Sequence, residues 1–201
     1  MLNSTPAHKA SLSLKKTRAF TLIELMISIS ITSILIAIAI PNYNDFIVKM
    51  RVDNEISQLH RLLLITRNAA INAGLPATLC PLNEQQHCNS QWQGELSVFM
   101  DLNDNQIYEP TNGEELLRIK PLIKQTDKLQ YGLGRTRIKF ASTGRTAGWG
   151  SNGTFIYCPK GYPQASRAIS IRTSGRFYTS TDSDNDGKDD LRSGKEIRCR
   201  A

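Results

Sequence analysis

Between Asp182 and Asp190 the chain reads Asp-Ser-Asp-Asn-Asp-Gly-Lys-Asp-Asp. Oxygen ligands at alternate positions, a glycine at the sixth and an acid at the ninth are what a calcium loop requires. In that reading Asp182, Asp184 and Asp186 are side-chain ligands, Lys188 offers its carbonyl, and Asp190 coordinates directly or through water. Ser193 stands at the twelfth position, where an EF-hand has a bidentate Glu, and Glu196 is the nearest substitute. Carboxylates packed this densely repel one another without a cation, so a structural Ca2+ is the expectation. The alternative is a solvated, Asx-rich turn. Asp101-Leu102-Asn103-Asp104-Asn105 repeats the idea weakly, with Gln106 where the glycine belongs, and reads as a hairpin.

Four cysteines, Cys80, Cys88, Cys158 and Cys199, permit three pairings. The most economical joins Cys80 to Cys88 and Cys158 to Cys199. Zinc is the rival, but no spacing is C-x-x-C and the nearby His87 stands alone. For catalysis the residues are missing. His60 and His87 have no Ser, Cys or Asp constellation, and no G-x-S-x-G, H-E-x-x-H or P-loop occurs. The glycine-rich run from Gly144 to Gly153 lacks the Lys-Ser/Thr of a phosphate cradle. The reading is of a non-enzymatic protein.

The element that must position all of this begins at the N-terminus. From Phe20 to Ile40 there are 21 residues with one charge, Glu24. A helix of that length covers roughly 30 Å, the hydrocarbon thickness of a bilayer. Lys9, Lys15, Lys16 and Arg18 precede it with no acid, a flank that stays cytoplasmic. The domain beyond would then lie in an oxidising periplasm, where disulfides persist. Glu24 is the anomaly, since a carboxylate in a membrane helix costs on the order of 3 kcal/mol. A cleaved secretory signal needs a shorter apolar run and a small-residue cleavage site. A plain signal anchor fits the length but leaves the carboxylate unexplained.

Arg18-Ala19-Phe20 followed by Glu24 closely resembles the type III leader of type IV pilins and type II secretion pseudopilins. The resemblance implies cleavage by a prepilin peptidase between Ala19 and Phe20, N-methylation of Phe20, and Glu24 as the fifth residue of the mature chain. The family more often has Gly where Ala19 stands. Glu24 would pair with the N-terminal amine of a neighbouring subunit, so that its cost is offset on assembly. Residues 1–19 are then a leader, 20–41 a transmembrane and assembly helix, 42–74 its amphipathic half, and 75–201 a β-rich periplasmic head. Removing the leader leaves 21 basic against 18 acidic residues, a net of +3 rather than +7.

Pro41 removes a backbone donor and predicts a kink or loosening there. Beyond it Phe46, Met50, Ile56, Leu59, Leu63 and Ala70 recur at helical spacing, a stripe expected to pack on the head's own sheet. Gly74 and Pro76 stop the helix. Strands are predicted at Ala77–Cys80, Glu95–Asp101, Leu116–Ile119, Arg137–Ala141, Gly153–Cys158, Arg167–Arg172 and Arg176–Thr179. Thr173-Ser174-Gly175 joins the last two. The fold class is α+β, a long helix on an antiparallel head. Leu79-Cys80-Pro81, Cys88, Trp92-Gln93-Gly94, Phe99-Met100-Asp101-Leu102-Asn103, Tyr157-Cys158 and Ser174-Gly175-Arg176, in this order, resemble the GspH/FimT minor pseudopilins and minor pilins.

That resemblance implies a minor pilin in or at the tip of a type IV pilus, with a GspH-type pseudopilin of type II secretion as the alternative. Its partners would be other pilins or pseudopilins, the prepilin peptidase and the inner membrane of a Gram-negative cell, before export into a filament. A third reading is DNA. Some FimT-type pilins bind it through a C-terminal Gly-Arg-x-Arg. Here Gly175-Arg176-Phe177-Tyr178 lacks the second Arg, and Gly134-Arg135-Thr136-Arg137 spells the signature earlier. Arg172, Arg176, Tyr178, Lys195 and Arg198 are the candidate contacts, salt-sensitive and largely sequence-independent. Asp182–Asp190 interrupts them, and +3 is a mild balance for a dedicated binder.

Overall fold

The computed structural model describes residues 20–148 and 150–199, and the leader with its Ala19 junction lies outside them. Thr21 opens the helix. Its hydroxyl accepts the Glu24 N–H at 3.3 Å and its carbonyl accepts the Leu25 N–H at 3.2 Å. Thr21-Leu22-Ile23-Glu24 therefore has the spacing of a capping box, with Glu24 at its third helical position. Helix α1 spans Leu22–Ala73 and ends at Gly74, whose φ of 67° is the left-handed stop a glycine supplies.

The chain divides into two compact units, Met1–Asn42 and Tyr43–Ala201, and α1 contributes to both. The backbone of Pro41 stays helical, one residue before that division. In the first unit every described side chain from Phe20 to Ile40 is exposed, apolar ones included. Its hydroxyls are satisfied internally. Ser28, Ser30, Thr32 and Ser33 donate to the carbonyls four residues back at 2.7–2.8 Å, so none needs water. By length and hydropathy no single helix among the described residues is enough to cross a membrane, while Leu22–Ile38 and Tyr43–Ala73 meet that measure as a pair.

Among the described residues of the second unit, nine strands form two antiparallel sheets. β1 (Ala77–Pro81), β2 (Leu96–Phe99), β3 (Leu116–Lys120), β5 (Ile138–Phe140) and β6 (Thr146–Ala147) run in the order β3-β2-β1-β5-β6. β4 (Lys128–Tyr131), β7 (Gly153–Cys158), β8 (Arg167–Ile171) and β9 (Phe177–Thr179) run β4-β7-β8-β9. The seven predicted strands are present; β4 and β6 are additions. β2 is buried at every position rather than on one face. The helix stripe is out of phase with the expectation: Phe46 and Met50 are exposed, and Val48 and Val52 enter the core with Ile56, Leu59, Leu63 and Ala70. They pack with Leu79, Val98, Phe140, Phe155 and Ile169 in one cluster. Trp92 closes it, against Tyr131 at 4.9 Å and Phe155 at 5.1 Å, with its indole N–H donating to the Arg135 carbonyl at 2.8 Å.

Charges also fasten the helix. Arg51, Asp53 and Glu55 pair with three different parts of the head. Arg51 Nε lies 3.0 Å from Asp127 Oδ2, Glu55 Oε2 lies 2.6 Å from Lys120 Nζ, and Asp53 Oδ1 lies 2.8 Å from Arg167. Asp127 is fully buried and also accepts the Tyr157 hydroxyl at 2.8 Å and the Lys160 N–H at 3.2 Å. Burial, then the Asp127 carboxylate, pushes the Tyr157 phenol well above its ordinary range. Tyr157 is thus a fixed donor.

Candidate functional site

The β8–β9 hairpin organises the candidate residues. Ile171 pairs with Phe177 at its tip and Ile169 with Thr179, and beyond these the Ser180 N–H donates to the Ala168 carbonyl at 2.8 Å. Four residues of paired strand span about 13 Å. Arg172 and Arg176 therefore stand at one end, and the segment from Thr181 leaves from the other.

At that far end Asp182, Asp184 and Asp186 bring one carboxylate oxygen each within 4.8 Å of one another, all exposed. Backbone N–H groups hold them in place: Gly187 donates to Asp182, Asp186 to Asp184 and Lys188 to Asp186, at 3.0, 3.3 and 2.8 Å. The Lys188 amide first, and then, against burial, the Lys188 ammonium hold the Asp186 carboxyl below the ordinary range. Asn185 and Gly187 supply the left-handed backbone, with φ of 62° and 86°. The other two predicted ligands are the Lys188 carbonyl and Asp190, and both side chains have partners of their own. The Lys188 ammonium lies 3.4 Å from Asp186 and 3.0 Å from Glu196. Asp190 is buried, takes the Ser183 hydroxyl, and bridges Thr181 and Glu196 through its backbone. Three carboxylates converge, not four, and a lysine is already among them.

At the tip, two turns meet. The Thr146 N–H donates to the Thr173 carbonyl at 3.2 Å, and a Cβ on Gly175 would sit 1.9 Å from the Gly144 carbonyl oxygen. Arg67 Nε donates to that same oxygen at 3.0 Å. Gly175, φ 78°, is thus required by close backbone approach. The contact brings Arg145 beside Arg172 and Arg176; all three are exposed, and none pairs with a carboxylate among the described residues. Next to β9, Arg176 first holds the Tyr178 phenol below its ordinary range, and Arg192 lies over the Tyr178 ring at 4.1 Å.

The structure does not gather the whole predicted basic set. Lys195 and Arg198 lie toward the Asp-rich end, because Cys199 is bonded to Cys158 and Tyr157, beside it, pairs with Arg167. Arg200 lies outside the described residues. The complete Gly134–Arg137 signature is used internally. Arg135 donates to the carbonyls of Gly150 and Asn152, and Arg137 pairs with buried Asp101 at 3.2 Å and with Asp104. Burial opposes it, but hydrogen bonds from Lys139 and Arg137 hold the Asp104 carboxyl below its ordinary range. Both disulfides are formed: Cys80–Cys88 with Cα atoms 5.5 Å apart, and Cys158–Cys199 at 6.0 Å. Thr21 and Arg145 are the residues that sequence reasoning passed over. The Thr-x-x-Glu spacing was available for the first; only the Gly144–Gly175 contact reveals the second.

The family model described as type II transport protein GspH matches residues 55–175, three fifths of the chain. The chain belongs to the GspH family. Like other pilins and pseudopilins, GspH proteins are filament subunits and not enzymes. The prokaryotic N-terminal methylation motif matches residues 14–40. The chain is 33% identical over 98 residues to fimbrial protein EcpB of Eikenella corrodens, across 49% of this chain and 61% of that protein. A fimbrial protein of Pseudomonas aeruginosa is 40% identical over 58 residues, 29% of this chain and 38% of its own length. The matches thus span at most about three fifths of these relatives. In fold, this GspH-family chain resembles the crystal structure of the Pseudomonas aeruginosa type IV minor pilin FimU, with a TM-score of 0.50 and 18% identity over 65% of this chain and 88% of that one.

Proposed function

We propose that this chain is a minor pilin, or the corresponding minor pseudopilin, that is cut between Ala19 and Phe20 and then packs residues 20–40 among neighbouring helices. One observation carries the reading: a helical run of exposed, mostly apolar side chains between Phe20 and Ile40 that no described residue covers. Lipid, then other subunits, would cover it. The basic flank retains the N-terminus in the cytoplasm, and the disulfide-bonded head faces the periplasm. Glu24 has half of a capping box locally, and its carboxylate is the group left for a neighbour's amine. Glu24→Val is expected to leave the chain in the inner membrane and to remove it from sheared filaments or from the assembled secretion apparatus, read by fractionation and immunoblot. Undiminished recovery in the assembled fraction would contradict that role. The fimbrial relatives favour the pilus over secretion.

Two finer readings attach to the head. Convergence of Asp182, Asp184 and Asp186 supports calcium there, so chelation is expected to lower the melting temperature of the wild type and not of Asp184→Ala. Equal responses in the two would remove the ion site. A DNA contact draws on Arg172 and Arg176, exposed and without carboxylates. Tyr178 offers less for stacking, since Arg192 covers one face of its ring.

A further inference from the structure

Beside the first turns of α1 in the second unit a hollow of about 390 Å³ opens. Asn44, Ile47 and Arg51 line it from the helix, and Lys124, Lys160 and Tyr162 from the head. Its one acid among the described residues is Asp127, which is buried and already paired with Arg51. Lys124 and Lys160 are exposed, as is Lys128, which opens β4 opposite Cys158, two residues from Lys160. None of these three lysines pairs with a carboxylate among the described residues. Little in the sequence offsets them: Asp127 is the only acidic residue between Glu115 and Asp182, against twelve Lys and Arg.

We propose that this hollow is the head's seat on the bilayer surface, where Lys124, Lys128 and Lys160 take the phosphates of anionic lipid headgroups before the subunit is assembled. The inference rests on the reading in which residues 20–40 span the membrane. Reach is its first support. Asn44 follows Ile40 by four residues, about 6 Å of helix and no more than about 14 Å of fully extended chain. Headgroups fill roughly 5–7 Å beyond the hydrocarbon on each side, so the hollow opens at or just above their depth. Charge is the second. Unpaired lysines gain from the negative potential of a leaflet that holds anionic lipid, and that potential fades within a Debye length. Tyr43, on the same turns of α1, is exposed and has the amphipathic ring that suits this boundary. An acidic protein segment would also satisfy the lysines, but only the leaflet is held within reach of Asn44 by the chain itself. The contact orients the head over the bilayer until neighbouring subunits replace the lipid.

The test places a photoreactive amino acid at exposed Gln125, next to Lys124, in the full chain reconstituted into vesicles. The vesicles hold phosphatidylcholine and phosphatidylglycerol in equal parts. Mass spectrometry of the lipid adducts is expected to favour phosphatidylglycerol by roughly fivefold or more, the gain of a single lysine near an anionic surface. Lys124→Gln with Lys128→Gln and Lys160→Gln should bring the ratio close to even, and added salt should lower it too. All three lysines are exposed, so the fold should survive, and intact disulfides on a non-reducing gel check that it does. The same amino acid at Ser174, exposed between Arg172 and Arg176, should give few lipid adducts. Absent or even labelling at Gln125, a preference that the glutamines leave unchanged, or equal labelling from Ser174 would each overturn the proposal. Alkaline extraction of the same vesicles separates the levels. A chain that resists extraction but shows no preference refutes the lipid seat alone, and a chain that washes off refutes the membrane-spanning helix and the seat with it.

Discussion

Asp127→Ala is expected to destabilise the head by about 3–4 kcal/mol, read from the denaturant midpoint of the detergent-solubilised chain. The carboxylate is fully buried, pairs with Arg51 from α1, and accepts from the Tyr157 hydroxyl of β7, the Thr126 hydroxyl and the Lys160 N–H. Its removal leaves Tyr157, itself nearly fully buried, without the acceptor that orients it. Arg51 is about a quarter exposed and recovers some solvation, which holds the loss to the lower part of the range for buried pairs. Replacing both partners together, Arg51→Met with Asp127→Leu, should cost less than Asp127→Ala, because no charge is then left buried. A change below about 1 kcal/mol for Asp127→Ala would mean that this contact does not fasten helix to head.

The second large effect lies in the tail. Changing Cys158 and Cys199 to Ser is expected to cost about 4 kcal/mol in the chain-entropy model, since the bridge closes a separation of 41 residues. The Cys80–Cys88 bridge closes only 8 and should cost roughly 2.5 kcal/mol on the same model. The two also differ in access. Cys199 is exposed whereas Cys80 is fully buried, so mild thiol reductant should open the C-terminal bridge first. Mass-tagging of free thiols during a reductant titration checks that order. Earlier opening at Cys80 would show that the tail is held shut by more than the sulfur bond.

What was legible in the sequence follows physical lines. Alternation and turn residues located seven strands because Gly, Pro and Asn punctuate them. β4 escaped since Lys128-Leu129-Gln130-Tyr131 has no β-branched residue to mark it, and β6 since two residues carry no period. The helix stripe was readable as helical and wrong in phase at its start. Phe46 and Met50 are the larger apolar residues, but the sheet meets the face that carries Val48 and Val52. For the candidate site, residue types were informative and groupings were not. Arg135 and Arg137 spell a ligand signature, yet they are used by carbonyls and by Asp101. Arg172 and Arg198 look like members of one basic cluster, yet the hairpin direction and the Cys158–Cys199 bridge set them toward opposite ends. Proximity across strands depends on register, which no local motif encodes.

The measurement that bears most directly on the central reading is the mass of the N-terminal peptide of this chain, recovered from sheared filaments or from the assembled secretion apparatus. The expected peptide begins at Phe20, heavier by one methyl group, with residues 1–19 gone. A chain confined to the inner membrane with Met1 or Ala19 still attached would contradict it, and would leave an anchored periplasmic head that joins no filament.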